Sequence, residues 1–143
     1  MVLTAKPVTM LVVENEKDVI WFMRSTFVSL LPDIRFYDAA SPQEAAILAA
    51  ALQPDLILAE IFFSIGIGNL AGSYFGPLLI AKIRKTAPRS KIIVCSMLED
   101  GDYGDAFEKD LKVDAYFKKP YDFEAVVEKS FELLGLPLVG PGN

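Results

Sequence analysis

Short apolar runs alternate with longer amphipathic segments along most of the 143-residue chain. The short runs are rich in β-branched residues and end in polar ones, a pattern typical of buried strands. They predict five strands, over residues 8–15, 33–40, 55–63, 90–96 and 114–119. In the longer segments, apolar residues recur every three or four positions, as in a helix with one buried face. These segments predict five helices, over residues 16–31, 41–52, 77–87, about 103–111 and 122–135.

Residues with strong positional preferences mark several of the helix ends. Ser41 followed by Pro42 and Glu44 predicts the start of the second helix, because the serine is a good N-cap and the glutamate can complete a capping box. Asp122 is the expected N-cap of the last helix, and Gly135 is its expected C-terminal stop.

The alternation of strand and helix favours an α/β fold. Helices that connect parallel strands cover both faces of the sheet, which gives a three-layer, doubly wound domain. We expect one such domain over residues 1–136, followed by a Pro/Gly-rich flexible tail over residues 137–143.

Composition and charge narrow the chemistry that the chain can perform. Histidine is absent, which removes the commonest general base and the commonest metal ligand. The net charge of −5 offers no basic surface, so we expect no direct contact with nucleic acid. We also expect no membrane insertion, since no apolar stretch reaches the length of a span and no signal-peptide pattern is visible. The one cysteine, Cys95, lies in an apolar run, which predicts a buried thiol and a cytoplasmic protein.

Polar residues stand at the carboxyl ends of four predicted strands. They are Glu14 and Asn15 after the first strand, Glu60 within LILAEIFF of the third, Ser96 in the fourth and Lys119 in the fifth. In an open parallel sheet these ends meet at one edge, where ligands gather. Acids, a hydroxyl and a lysine placed together could bind a divalent ion and a phosphoryl group. The alternative is that they only cap helices and solvate the edge of the sheet.

Four segments together resemble the signature segments of a known family. MLVVENE, PDLILAEIF, KIIVCSM and AYFKKPYD are similar to those of the receiver domains of bacterial response regulators, and the resemblance covers about residues 8–135. It implies a flavodoxin-like fold, as in the chemotaxis regulators, with strand order 2-1-3-4-5. It also implies a signalling domain of a two-component phosphorelay, not an enzyme.

The resemblance implies a role for each strand-end residue. In the family, an acid pair after strand one and an aspartate at the end of strand three hold magnesium, and that aspartate accepts a phosphoryl group from a histidine kinase. A hydroxyl and a lysine then bind the phosphoryl oxygens, and an aromatic residue on strand five changes rotamer. Carried onto this sequence, these positions are Glu14 and Asn15 for the acid pair, Glu60 for the acceptor, Ser96, Lys119 and the aromatic Tyr116.

Three of these positions depart from the family pattern, because the acid pair is Glu14–Asn15 and the acceptor is Glu60. Asn15 can offer an oxygen to magnesium but no charge, so we expect a weak magnesium site formed by Glu14, Asn15 and Glu60, and no other cofactor. Glu60 stands where the family has aspartate, and its extra methylene moves the carboxylate outward by about 1.5 Å. In-line phosphoryl transfer depends on positioning, so a displacement of this size predicts weak phosphorylation or none.

The longer side chain of Glu60 suggests another role. We expect its carboxylate to reach Lys119 or Ser96 without a metal and to hold the switch residues in one state. The alternative is that Glu60 is a solvated strand-end acid without a role.

The resemblance implies protein partners: a histidine kinase, a phosphotransfer protein or an output domain. A homodimer through the face of helix four, strand five and helix five is a further possibility. The alternative function is a small ligand- or flavin-binding domain, or an enzyme, on the same scaffold. Trp21 on the first helix is expected to pack in the core or in a dimer, and the alternative is a contact residue on the polar face of that helix. The Gly- and aromatic-rich stretch 62–77 is expected to form a flap, a docking loop or a loop packed on the domain.

Overall fold

The computed structural model describes residues 6–60, 79–96 and 112–138, and these contain five strands and four helices. The strands are β1 (Thr9–Val13), β2 (Arg35–Ala39), β3 (Leu56–Glu60), β4 (Lys91–Ser96) and β5 (Ala115–Lys118). The helices are α1 (Lys17–Leu30), α2 (Pro42–Leu52), α3 (residues 79–86 of the described part) and α4 (Phe123–Leu134). The helix predicted at 103–111 and the stretch 62–77 lie outside the described residues.

All five strands are parallel and form one sheet in the order β2-β1-β3-β4-β5. The predicted fold class and strand order are therefore confirmed. β1, β3 and β4 are the three central strands, and their apolar runs are buried on both faces, as expected for a sheet covered on both sides.

Side chains from the two faces of the sheet form two separate cores. One face packs Leu11, Val13 and Ile57 against α2 and α3. The other packs Met10, Val12 and Leu58 against α1 and α4, which contribute Phe27 and Phe131 among other residues. Successive strand residues alternate between these cores because side chains in a strand point to opposite faces. The result is the predicted three-layer arrangement.

The predicted helix ends are also present. Ser41 Oγ accepts a hydrogen bond from the Glu44 N–H at 3.2 Å, and the Glu44 carboxylate accepts one from the Ala40 N–H at 3.4 Å, one residue before the capping-box position. The Asp122 carboxylate accepts from the Glu124 N–H at 3.0 Å, and Gly135 ends α4 with a φ of 68°.

Candidate functional site

The strand-end residues lie along one edge of the sheet, as predicted. Glu14 directly follows β1, Glu60 is the last residue of β3, Ser96 is the last residue of β4 and Lys119 directly follows β5. Because β1, β3, β4 and β5 are consecutive neighbours in the sheet, their carboxyl ends form one continuous rim. For Ser96 the structure describes only the backbone position, which pairs with Lys118.

The Lys119 ammonium lies between two carboxylates. Its Nζ is 2.5 Å from Glu60 Oε2 and 3.7 Å from Glu14 Oε2. We call Glu14, Glu60 and Lys119 the edge cluster. The contact between Glu60 and Lys119 that the sequence predicted is therefore present. Glu60 is only 6% exposed, so the alternative of a solvated strand-end acid is wrong.

The length of Glu60 explains how this contact forms. Lys119 follows β5, whereas Glu60 ends β3, and β4 lies between these two strands. Two strand spacings amount to roughly 9.5 Å, which two long side chains can span together. An aspartate at position 60 would be shorter by about one C–C bond, roughly 1.5 Å. The extra methylene thus favours direct contact between the two side chains.

Backbone hydrogen bonds fix the second carboxylate. Glu14 Oε1 accepts from the N–H groups of Asn15 at 3.1 Å and Glu16 at 3.2 Å, and the Glu14 N–H donates to the Ala39 carbonyl. With one oxygen held by the turn into α1, the other oxygen faces Lys119. Glu14 is 3% exposed, while Asn15 is exposed and is the one member of the predicted acid pair whose side chain lies outside the buried site.

The charges of the edge cluster favour the protonated lysine. Burial lowers the pKa of Lys119, but the hydrogen bond and the negative charge of Glu60, together with the charge of Glu14, outweigh it and raise the pKa above its ordinary value of 10.5. Lys119 is therefore a fixed cation at neutral pH, and its proton is not available for acid–base work.

Two residues beside the edge cluster were not recognised as neighbours from the sequence. Cys95 pairs with Glu60 across β3 and β4, and its thiol lies near the Tyr121 hydroxyl. Burial, and then the negative charge of Glu60, raise the pKa of the Cys95 thiol to about 12. Burial and the neighbouring Cys95 likewise raise the pKa of Tyr121. Cys95 is buried as predicted, and its burial disfavours the thiolate, the reactive form of the side chain.

Tyr116 lies on β5, the strand next to β4, which carries Cys95. It pairs with Val94 in register and is half-buried, with its ring packed against the α2–α3 core. Its position on β5 is the one predicted for the switch aromatic, and the role itself stays a prediction.

The donor set of the site is a poor fit for magnesium. The two carboxylates that would ligate the ion already share the Lys119 ammonium, and the third predicted ligand, Asn15, is exposed and uncharged. Among the described residues, no group of three or more Asp, Glu, Cys or His side chains is placed to hold a metal ion. This arrangement does not favour the weak magnesium site expected at Glu14, Asn15 and Glu60, and that site stays a prediction.

Comparison with known proteins defines the fold. No family model matches the sequence, and no curated protein sequence matches it. Solved structures do match. The signal receiver domain of an HD domain-containing protein from Pseudomonas fluorescens Pf-5 has a TM-score of 0.74 and 17% identity, over 91% of this chain and 96% of that one. A response regulator from Thermotoga maritima has a TM-score of 0.72 and 18% identity, over 91% and 99%.

A CheY-like receiver domain protein from Methanospirillum hungatei is similar to the same degree, with a TM-score of 0.71 and 20% identity over 91% of this chain and 95% of that one. At these identities the comparison shows the fold. The chain has the flavodoxin-like fold of response-regulator receiver domains. None of the helices in the described residues is both long enough and apolar enough to cross a membrane.

Proposed function

We propose that this chain is an atypical receiver domain of a two-component response regulator, in which an internal ion pair replaces control by phosphorylation. The observation that carries the proposal is the contact of 2.5 Å between Lys119 Nζ and Glu60 Oε2. These two residues stand at the positions that the family resemblance assigns to the phosphoryl-binding lysine and the phosphoacceptor.

The geometry supports a fixed state of the site. In a receiver domain the lysine contacts the phosphoryl oxygens only after phosphorylation of the aspartate, according to the family pattern. Here the carboxylate of Glu60 itself supplies an oxygen to the Lys119 ammonium. The raised pKa of Lys119 keeps this contact charge-assisted at neutral pH. The site then has no empty position between acceptor and lysine for a phosphoryl group to fill.

The proposed domain acts by contact with other proteins. Its partners would be a histidine kinase, a phosphotransfer protein or an output domain in the cytoplasm, and the domain would catalyse no reaction of its own. Magnesium, if it bound to Glu14 and Glu60, would have to displace Lys119 from between them, and so it would compete with the ion pair that defines the state.

The test is phosphorylation by a small-molecule donor. Wild-type protein is incubated with acetyl phosphate and Mg²⁺, and its intact mass is measured. We expect no added phosphoryl group. The double variant Asn15→Asp/Glu60→Asp restores the family's acids, and we expect it to gain one phosphoryl group under the same conditions.

A matched control separates phosphorylation that uses the restored site from nonspecific modification by the phosphodonor. The double variant with Lys119→Met added keeps the restored aspartate but lacks the lysine, and we expect its phosphorylation to fall at least tenfold. Phosphate on Glu60 of the wild-type protein would contradict the proposal. Visible flavin absorbance of the purified protein would support the flavin-binding alternative, which no feature of the described residues favours.

A further inference from the structure

A small pocket lies where the first turns of α1 meet the segment that leads into α4. Its volume is about 320 Å³, near the lower end of the range for small-molecule sites. Four residues of α1 and two from the start of α4 line it: Asp18, Val19, Phe22, Met23, Tyr121 and Phe123. We call it the Asp18 pocket.

Two rows of side chains on α1 form one wall of the pocket. Phe22 is four residues after Asp18, so both lie along the same side of the helix, and Val19 and Met23 form a second row for the same reason. Met23 is buried, whereas Phe22 is 51% exposed. The neighbouring Trp21 is 68% exposed and does not line the pocket. The prediction that Trp21 packs in the core is therefore wrong.

Three aromatic residues line the pocket, and their neighbours fix how the rings are placed. The Phe22 and Phe123 rings are 4.9 Å apart between centroids, with 52° between their planes. The buried Phe27 packs against Phe123 edge to face, at 6.4 Å and 84°. The Tyr121 hydroxyl lies near the buried Cys95 thiol, so the ring is the part of Tyr121 that remains for the pocket. Aromatic faces carry a negative electrostatic potential, which attracts cations.

The charge around the pocket has the same sign as the ring faces. Asp18 is the charged residue of the lining and is exposed, and within the described part of the chain no salt bridge joins it to a basic group. Burial raises the pKa of Tyr121, and the neighbouring Cys95 and the charges of Glu14 and Glu60 add to this effect. A carboxylate beside several aromatic rings is a combination that recognises an organic cation.

We propose that the Asp18 pocket binds a quaternary ammonium group. A primary ammonium has three N–H donors, whereas the lining side chains offer one carboxylate and otherwise mostly apolar surface. A quaternary ammonium has no donor to satisfy. Its methyl groups can pack on the rings of Phe22, Tyr121 and Phe123, and its charge is attracted by these rings and by Asp18.

This inference goes beyond the proposed function and does not depend on it. No member of the edge cluster lines the pocket, so phosphorylation of Glu60, or its absence, leaves the expected binding unchanged.

The first probe is choline, which carries a trimethylammonium group, followed by proton NMR in the presence of the whole chain. We expect a saturable shift of the N-methyl signal to lower frequency, because the bound methyl groups lie over ring faces, with a Kd on the order of 1 mM or below. Two matched probes should each bind at least tenfold more weakly. One is the neutral isostere of choline, with carbon in place of nitrogen, and the other is ethanolamine, its primary ammonium counterpart.

Variants of the protein test the carboxylate and the rings separately. Asp18→Asn should weaken choline binding roughly three- to tenfold, while Asp33→Asn, which removes the same charge from an exposed site outside the pocket, should stay within about twofold. Phe22→Leu keeps an apolar side chain but removes one ring, and should weaken binding roughly fivefold or more. Trp21→Leu removes the adjacent exposed ring that does not line the pocket, and should stay within about twofold. Circular dichroism checks that each variant is folded.

A peptide with one trimethylated lysine separates two sources of the same group. Binding tighter than that of choline would support a quaternary ammonium carried by a protein, and weaker binding would support a free small molecule.

Three results would overturn the proposal. One is an unchanged N-methyl signal at choline concentrations of about 10 mM, tenfold above the expected Kd. Another is equal binding of the neutral isostere or of ethanolamine, since the pocket would then not select a quaternary cation. The third is an equal loss in Asp18→Asn and Asp33→Asn, or in Phe22→Leu and Trp21→Leu, because net charge or general loss of aromatic surface would then explain the effect.

Discussion

Two ion-pair clusters lie at opposite edges of the same sheet. At the amino-terminal edge, the Arg84 guanidinium contacts Asp114 Oδ2 at 3.4 Å and donates to the carbonyls of Ser90 at 2.6 Å and Lys112 at 2.8 Å. At the carboxyl edge, Lys119 lies between Glu14 and Glu60. Both clusters hold segments that are distant in sequence, but they differ in what each charge contacts.

The amino-terminal cluster is explained by folding alone. Arg84 donates hydrogen bonds to main-chain carbonyls next to β4 and β5. The Asp114 carboxylate accepts a hydrogen bond from the Ile92 N–H at 2.8 Å. One cation meets one carboxylate, and both side chains keep some contact with water. Such a cluster fixes the turn between α3 and β4 to the start of β5, and it needs no functional explanation.

The edge cluster is not explained in the same way. Among the described residues, two almost fully buried carboxylates share one ammonium. Removal of charged groups from water opposes folding. A fold retains such an arrangement more readily when the charges serve a function. The comparison therefore separates a structural ion pair from a candidate functional one within a single domain.

The largest effect should follow from loss of the structural ion pair. Arg84→Met removes the hydrogen bonds to the carbonyls of Pro88, Ser90 and Lys112 and also the partner of Asp114. We expect the free energy of unfolding to fall by about 3 to 4 kcal/mol. Urea denaturation followed by circular dichroism measures this change. Arg84→Lys should recover less than half of the loss, because an ammonium lacks the forked donors. Full recovery by lysine would contradict the assigned role of the hydrogen bonds.

A smaller loss is expected at the edge cluster. Lys119→Met leaves Glu14 and Glu60 buried without their shared cation, and we expect the free energy of unfolding to fall by about 2 to 3 kcal/mol, less than for a fully buried pair because Lys119 is partly exposed. Addition of Glu60→Gln to this variant should recover part of the loss, since one of the two buried negative charges is then removed.

The control for this prediction is Lys85→Met, which removes the same charge from an exposed position on α3. We expect it to change the free energy of unfolding by no more than about 0.5 kcal/mol. If Lys85→Met and Lys119→Met had equal effects, net charge alone would account for both, and the contact with Glu60 would have no special weight.

The contact between Glu60 and Lys119 could be anticipated from the sequence because parallel strands bring their carboxyl ends to one edge. The positions of the apolar runs in the sequence place both residues at that edge. The helix ends at Ser41, Asp122 and Gly135 followed in the same way from local backbone preferences.

Other features depend on packing that periodicity does not encode. Trp21 lies between Ile20 and Phe22, so apolar spacing alone could not show that α1 has a second, outward apolar face. The proximity of Tyr121 to Cys95 depends on the path of the chain after Pro120, where the sequence shows no apolar periodicity. The contact between Lys119 and Glu14 was not predicted, because the sequence suggested magnesium as the counter-ion of Glu14.

The smallest effect distinguishes the two clusters by pH. The pKa of Lys119 is raised above its ordinary value of 10.5, so its charged form stabilises the fold; this contribution is fully present below pH 10.5 and is lost as the pH rises through the folded pKa. The difference in unfolding free energy between wild type and Lys119→Met should therefore be constant from about pH 8 to about pH 10 and shrink above that. The difference for Arg84→Met should not shrink, because a guanidinium keeps its proton in this range. Urea denaturation of the three proteins across the alkaline range measures both differences. If the two differences in unfolding free energy shrank equally above pH 10, general alkaline destabilisation would explain both of them. The titration of Lys119 would then not be the cause of the change at the edge cluster.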